Sequence, residues 1–146
     1  MNKPDITIRI ADWDTEQDAL RGIRETVFIQ EQAVRPEEEW EGDDHLYTHI
    51  LAFDQNNKAI GTVRVSITPD YAKIGRMAVL KEYRGHHIGA ALLEFAIDFA
   101  RRQGAKKAVL NAQTSVKNFY ARSGFSEEGK IFMEANIEHI KMSRPL

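Results

Sequence analysis

The chain has 146 residues, 42% hydrophobic and 29% charged, with no cysteine and a formal net charge of -2. That length suits one ordinary domain with a real core, and the balance is globular rather than disordered. The missing cysteines exclude disulfides, thiolate metal sites and a cysteine nucleophile, while the charge leaves no basic footprint for nucleic acid. No apolar run approaches the ~20 residues of a membrane span, and the opening MNKPDITIRI lacks the apolar core of a signal peptide. A reducing, cytoplasmic location fits the absence of cysteine.

In chain order, Ile6–Ile10 alternates as a first strand. Asp14 followed by Gln17 resembles a capping box, after which Leu20, Ile23 and Val27 recur at helical spacing. Ala33 to Asp44, with Pro36, Gly42 and the run Glu37-Glu38-Glu39-Trp40-Glu41, reads as an irregular, solvated acidic loop. His49–Phe53 and Ile60–Ile67 are strand-like around the turn-rich Asp54–Lys58, and a further strand covers roughly Ala72 to Leu80. Ile88, Leu92, Phe95 and Phe99 then form the stripe of an amphipathic helix that Gly104 stops. Lys107–Ala112 is a short strand, Val116–Arg122 a short helix ended by Gly124, and Phe125–Met133 and Ile137–Met142 close the chain. The expected fold is α/β (α+β), a mixed central sheet of about six to seven strands flanked by helices, in a single domain over residues 1–146.

The chemistry concentrates between Lys73 and Leu93. A strand ends near Leu80, and Arg84-Gly85-His86-His87-Ile88-Gly89-Ala90 opens the long helix. Glycines there permit close backbone approach, and the free N–H groups of a first helical turn, with the helix dipole, make an anion site suited to a pyrophosphate. Arg84 adds a charge-assisted contact. The same spacing also fits a plain strand–helix turn with no ligand. It is neither a Walker A loop nor a good dinucleotide fingerprint.

With its second motif, Asn118-Phe119-Tyr120-Ala121-Arg122-Ser123-Gly124-Phe125, the sequence resembles the GNAT superfamily of N-acetyltransferases, and most closely a bacterial subgroup like ElaA and YjcF. The family's phosphate loop reads Arg/Gln-x-x-Gly-x-Gly/Ala. Arg84 and Gly89 match it, whereas His87 stands at the middle glycine. The resemblance implies a V-shaped opening between two parallel strands that admits acetyl-CoA. Met77, Ala78 and Val79 would bond the pantetheine arm, and Arg84, Gly85, His86, His87, Ile88, Gly89 and Ala90 would hold the pyrophosphate. Tyr120 would stand near the sulfur as general acid, since a phenol with pKa near 10 is protonated at neutral pH. It also reads as a core tyrosine beside Phe119 and Phe125.

The subgroup's VF-x-x-EQ segment and closing pattern make Glu31, Glu134 and His139 candidates to line the acceptor pocket. Each has an ordinary reading too: a helix-end carboxylate, a surface turn and a strand histidine. His45 and His49 near Asp43 and Asp44 lack a third ligand, so no metal is expected. If the acidic loop borders the pocket, its carboxylates favour a cationic acceptor. The implied activity is direct transfer of an acetyl group to the primary amine of a small molecule or peptide, with neither nucleic acid nor membrane as partner. The exposed edges of such a sheet suit a homodimer. The alternative, resting on His87, is a catalytically degenerate module that binds acyl-CoA as a sensor or assembly part.

Overall fold

The computed structural model describes residues 5–146. Strand β1 (Thr7–Ile10) leads into helix α1 (Trp13–Arg24), capped by Asp12, which accepts the Asp14 N–H at 3.0 Å. Glu16 returns the favour to the Asp12 N–H at 2.9 Å and is fixed by two bonds from Arg9, both 2.7 Å. The cap thus lies two residues before the Asp14–Gln17 pattern, because Arg9 on the neighbouring strand selects Glu16. Instead of ending at Arg24, the helix widens into π-helical turns over Glu25–Glu31, where the Gln32 N–H bonds the Val27 carbonyl at 3.1 Å. This buries both Val27 and Phe28 and carries Glu31 and Gln32 out over the sheet.

A short helix, α2 (Pro36–Glu39), interrupts the expected loop. Strands β2 (Thr48–Phe53), β3 (Ala59–Ile67) and β4 (Ala72–Val79) follow, then helix α3 (Ile88–Arg102), β5 (Lys107–Gln113), α4 (Lys117–Ala121), β6 (Ser126–Glu134) and β7 (Ile137–Pro145). All seven strands join one sheet in the order β1-β2-β3-β4-β5-β7-β6. Every neighbouring pair is antiparallel except β4 with β5.

Each face of the sheet has its own core. On one, α3 packs Ile88, Leu92, Leu93, Ala96, Ile97 and Ala100 against Ile74, Ala108, Leu110, Ile140 and Met142. Phe95 and Phe99, expected as members of the stripe, are only partly buried against this core. The helix turns its smaller residues to the sheet and so approaches it closely. On the other face α1 packs Leu20, Ile23, Val27 and Phe28 over Leu51, Phe53 and Ala78. Full burial of such side chains stabilises by about 1.5–3 kcal/mol each, which makes both layers strongly favoured. α1 lies over β3 and β4, and the same face of β5 and β7 carries exposed Lys107 and Lys141.

Candidate functional site

Strands β4 and β5 pair only at their beginnings, Ala72 with Ala108 and Lys73 with Val109. From there they part, so β4 runs to Val79 and β5 to Gln113 with a widening gap between them. β4 also carries a bulge: Arg64 pairs with Gly75 and Thr62 with Ala78, so one extra β4 residue is accommodated opposite Val63. Arg76 absorbs it at φ +51, a left-handed conformation costly for a non-glycine residue. The bulge reverses the facing of the strand. Ile74 belongs to the α3 core, whereas Ala78 belongs to the α1 core. At the strand end Leu80 donates its N–H to Ile60 at 2.9 Å, and Val79 turns its carbonyl the other way, to accept from Arg84 Nε at 3.0 Å.

The loop beyond β4 takes the backbone shape that glycine favours at two positions. Gly85 has φ +84, and His87, which caps α3, has φ +63 and ψ +19. Histidine tolerates this region better than most residues, so it stands at the middle position without redirecting the chain. No side chain caps α3, which leaves the first-turn N–H groups of Ile88, Gly89 and Ala90 for an external acceptor. The Ile88 side chain is buried, so only its backbone faces outward. A Cβ on Gly89 would meet the Phe119 ring at 3.5 Å and Val79 at 3.9 Å, ordinary van der Waals contact, so α3 and α4 already pack to the end of β4 with no room for a larger side chain. His86 and Ala90 are half-buried.

Tyr120 projects from α4 between Phe119 and Phe125, edge-on to both, at 5.0 and 6.2 Å between ring centres. Burial alone pushes its hydroxyl up to about 12. It is therefore held protonated across the whole neutral range.

The opposite wall contains several long-range pairs. Glu31 grips Arg84 with both oxygens, at 2.6 and 2.8 Å, rather than standing free. Hydrogen bonds from Arg84 hold the Glu31 carboxyl below the usual carboxylate range. Next to it, Gln32 accepts from Gln113 Nε2 at 2.9 Å. The last residue of the π-helical turns and the one after it thus span the mouth of the gap, one tied to the loop after β4 and the other to the end of β5. Glu134 and His139 come together, Oε2 to Nε2 at 3.5 Å. His139 is buried, stacks on Phe132, and its Nδ1 lies 2.7 Å from the Ile137 carbonyl. A carbonyl only accepts, so Nδ1 carries a hydrogen and donates it to Ile137, while Nε2 is the ring atom that faces Glu134.

The acidic loop is not solvated throughout. Glu39 is 3% exposed and Asp44 likewise, and Arg24, fully buried, bonds them at 2.5 and 2.8 Å. Arg64 adds a bond to Asp44 at 2.9 Å, the bulged Arg76 approaches Glu39 at 3.3 Å, and the Trp40 ring lies 4.8 Å from the Arg24 guanidinium. Glu38 is bonded to Arg35. These pairings overturn the reading of the run as a set of free carboxylates: a buried carboxylate needs a cation, and Arg24 supplies it from α1. His45 is exposed, His49 is buried with Nε2 2.8 Å from the Asp44 carbonyl, and no metal-ligating cluster forms among the described residues.

Known proteins with related sequences point the same way as this geometry. The model of the acetyltransferase (GNAT) family matches residues 10–125. The chain belongs to the GNAT family. It is 33% identical to the uncharacterized N-acetyltransferase YjcF of Bacillus subtilis, over 84% of this chain and 87% of that protein. Crystal structures with the same fold include Escherichia coli ElaA, 26% identical with TM-score 0.84 over 96% of this chain and 99% of that one. An acyl-CoA N-acyltransferase from Pseudomonas aeruginosa is 27% identical, with TM-score 0.82 over 97% and 99% of the two chains. As a GNAT protein, this chain is an acyltransferase of the family that uses acetyl-CoA.

Several residues that shape this GNAT cleft carry no local signal. Gln113 is one polar residue at a strand end, and its partner Gln32 lies 81 positions away. Arg24 and Asp44 read as surface charges until the fold joins them. Arg76 left one trace, a charged residue within an otherwise strand-like run. Among the described residues, no helix is long and apolar enough to cross a membrane.

Proposed function

We propose that residues 1–146 act as one N-acetyltransferase domain, which moves the acetyl group of acetyl-CoA directly to a primary amine. The observation that carries this is the gap between β4 and β5, with the unpaired edge of β4 leading to an uncapped α3 N-terminus. These features fit CoA: an extended arm needs a free strand edge, and a pyrophosphate needs unsatisfied N–H groups. The P. aeruginosa protein named for acyl-CoA supports the same reading.

In this reading Met77, Ala78 and Val79 present the strand edge, and Arg84 to Ala90 wrap the pyrophosphate. Because Glu31 already holds the Arg84 fork, the backbone of α3 carries most of the phosphate recognition. The chain's own groups then manage two protons. His139, whose Nε2 faces Glu134, takes one from the attacking amine, directly or through water, as the C–N bond forms. Glu134 stabilises the imidazolium. Tyr120 donates a hydrogen bond to the sulfur as the C–S bond breaks, giving an amide and a thiolate that becomes the free thiol by taking a proton from solvent, to which His139 releases its own. A phenol held at about 12 is a weak acid, so Tyr120 acts chiefly by a hydrogen bond to the developing thiolate.

Calorimetric titration with acetyl-CoA, followed by thiol release with an amine panel, tests this reading. Saturable binding with turnover is expected. Binding without turnover on any amine would favour the alternative, a catalytically degenerate acyl-CoA-binding sensor or assembly module. Gly89→Val should weaken acetyl-CoA binding by tenfold or more, since a β-branched side chain in the first turn of α3 would crowd the pyrophosphate.

A further inference from the structure

On the α1 side of the sheet, beyond the reach of α1, lies an open cavity of about 340 Å³ lined by Tyr71, Lys73, Lys107, Val109, Asn111 and Lys141. The lysines come from three adjacent strands. Lys73 on β4 lies beside Val109 of β5, and Asn111 of β5 is opposite Lys141 of β7. Their chain neighbours Ala72, Ala108 and Met142 are buried under α3, so the lysines share the other face. Lysines commonly guard the edges of sheets, but β4, β5 and β7 are all interior strands, so that role does not explain them.

The charge of this floor opposes that of the chain, whose formal net charge is -2. One carboxylate faces the lysines: Glu128 of β6, bonded to Ser143, 3.7 Å from Lys107 Nζ and 3.5 Å from Lys141 Nζ. Lys73 is in no ion pair among the described residues. Two positive charges are left over, beside the side-chain donors of Asn111 and Tyr71. Along the same face of β5, Gln113, opposite His139, lies about 7 Å beyond Asn111 and about 13 Å beyond Val109, the neighbour of Lys73.

We propose that this cavity holds a phosphate group of the acceptor, so that the substrate is a small amine bearing a phosphate about 7–13 Å from its nitrogen. A phosphate monoester carries about -1.5 to -2 at neutral pH, matching the uncompensated charge, and lysine binds it as a point charge. The placing of the amine rests on the acyl-transfer reading above, while the anion site rests on the lysines alone.

Two measurements on the full chain test it. Inorganic phosphate is titrated calorimetrically, with and without CoA, into wild type and Lys73→Ala/Lys141→Ala. Saturable binding that survives CoA and weakens at least tenfold in the variant is expected. Absence of binding, or equal binding by both proteins, overturns the site. Thiol release is then compared for aminoalkyl phosphates of two to eight carbons and the matching amino alcohols. The phosphates should be favoured, most at the chain lengths that span this distance. Each lysine substitution should lower their kcat/KM by about tenfold and leave the alcohols unchanged. Equal rates for both series overturn the proposal, and a preference for aminoalkyl carboxylates overturns the choice of phosphate. Phosphate binding in a protein that does not bind acetyl-CoA would sustain the anion site and refute acyl transfer.

Discussion

The α3 side of the gap is assembled from residues near one another in the chain, Val79 to Ala90 joined by Phe119 and Tyr120. The α1 side draws on Arg24, Glu31, Gln32, Glu39, Asp44, Arg76, Gln113, Glu134 and His139, almost the length of the molecule. The first is made by backbone conformation: a free strand edge, two left-handed loop residues and an uncapped helix. The second is made by side-chain pairs that exist only once the sheet has formed. A ligand common to a whole family can be recognised by backbone, which tolerates sequence change. A wall made of side-chain pairs is free to differ between relatives, and it lies where the acceptor is proposed to bind.

The largest expected effect breaks the second wall alone. Arg24→Ala leaves Glu39 and Asp44 buried without their main cation and removes the guanidinium stacked on Trp40. The expected loss is about 3–5 kcal/mol in denaturant unfolding, as for other broken buried pairs. Acetyl-CoA affinity, measured well below the new midpoint, should stay within about twofold if the two sides are separable. A parallel collapse of affinity would show that the acidic network also supports the α3 loop. Tyr120→Phe addresses the other side. It should lower turnover by ~10²-fold, about 2.7 kcal/mol, with little change in acetyl-CoA binding. Because the wild-type hydroxyl is held at about 12, its ionisation should not depress the rate anywhere below roughly pH 11. Equal turnover in the variant removes Tyr120 from the chemistry.

A smaller effect separates charge from packing. Burial pushes the Asp44 carboxyl up, but bonds and charges from Arg24 and Arg64 outweigh it and hold the group below its ordinary value. A depressed folded-state pKa means that the contribution is fully present above the unfolded value of about 3.9 and is lost as pH falls through the folded value. Asp44→Asn should therefore cost about 1.5–3 kcal/mol at neutral pH and flatten the acid limb of the stability curve. An acid limb as steep as that of wild type would assign the pH dependence to other carboxylates.

The order of the elements was legible because alternation and helical periodicity report burial directly, as in Val63 and Val65 or Ile88 and Leu92. The loop after β4 was legible because Gly85 and Gly89 bracket the strand–helix junction within a few residues, Gly85 taking the left-handed backbone there. The cap on α1 was not, because Arg9 chose Glu16 over Gln17 from a neighbouring strand. The fate of Glu31 was equally hidden, since its partner Arg84 lies 53 residues away. The acidic run misled for the same reason: sequence shows the charge of Glu39 but not the buried Arg24 that neutralises it.

The smallest effect decides whether His87 disables the loop or merely occupies it. His87 already has the left-handed backbone of a glycine, at φ +63. Glycine there would relieve the crowding that a Cβ suffers, roughly 1 kcal/mol, but would restore unfolded-state freedom worth about 0.4–1 kcal/mol. His87→Gly should thus change stability by no more than about 0.5 kcal/mol, and acetyl-CoA affinity by less than about threefold, since the backbone N–H groups keep their directions. A gain of tenfold or more would mean that the imidazole obstructs the pyrophosphate, and the α3 side would then depend on a side chain after all. An unchanged affinity would leave backbone geometry as what this part of the cleft requires, with the residue at position 87 free to vary so long as it accepts a positive φ.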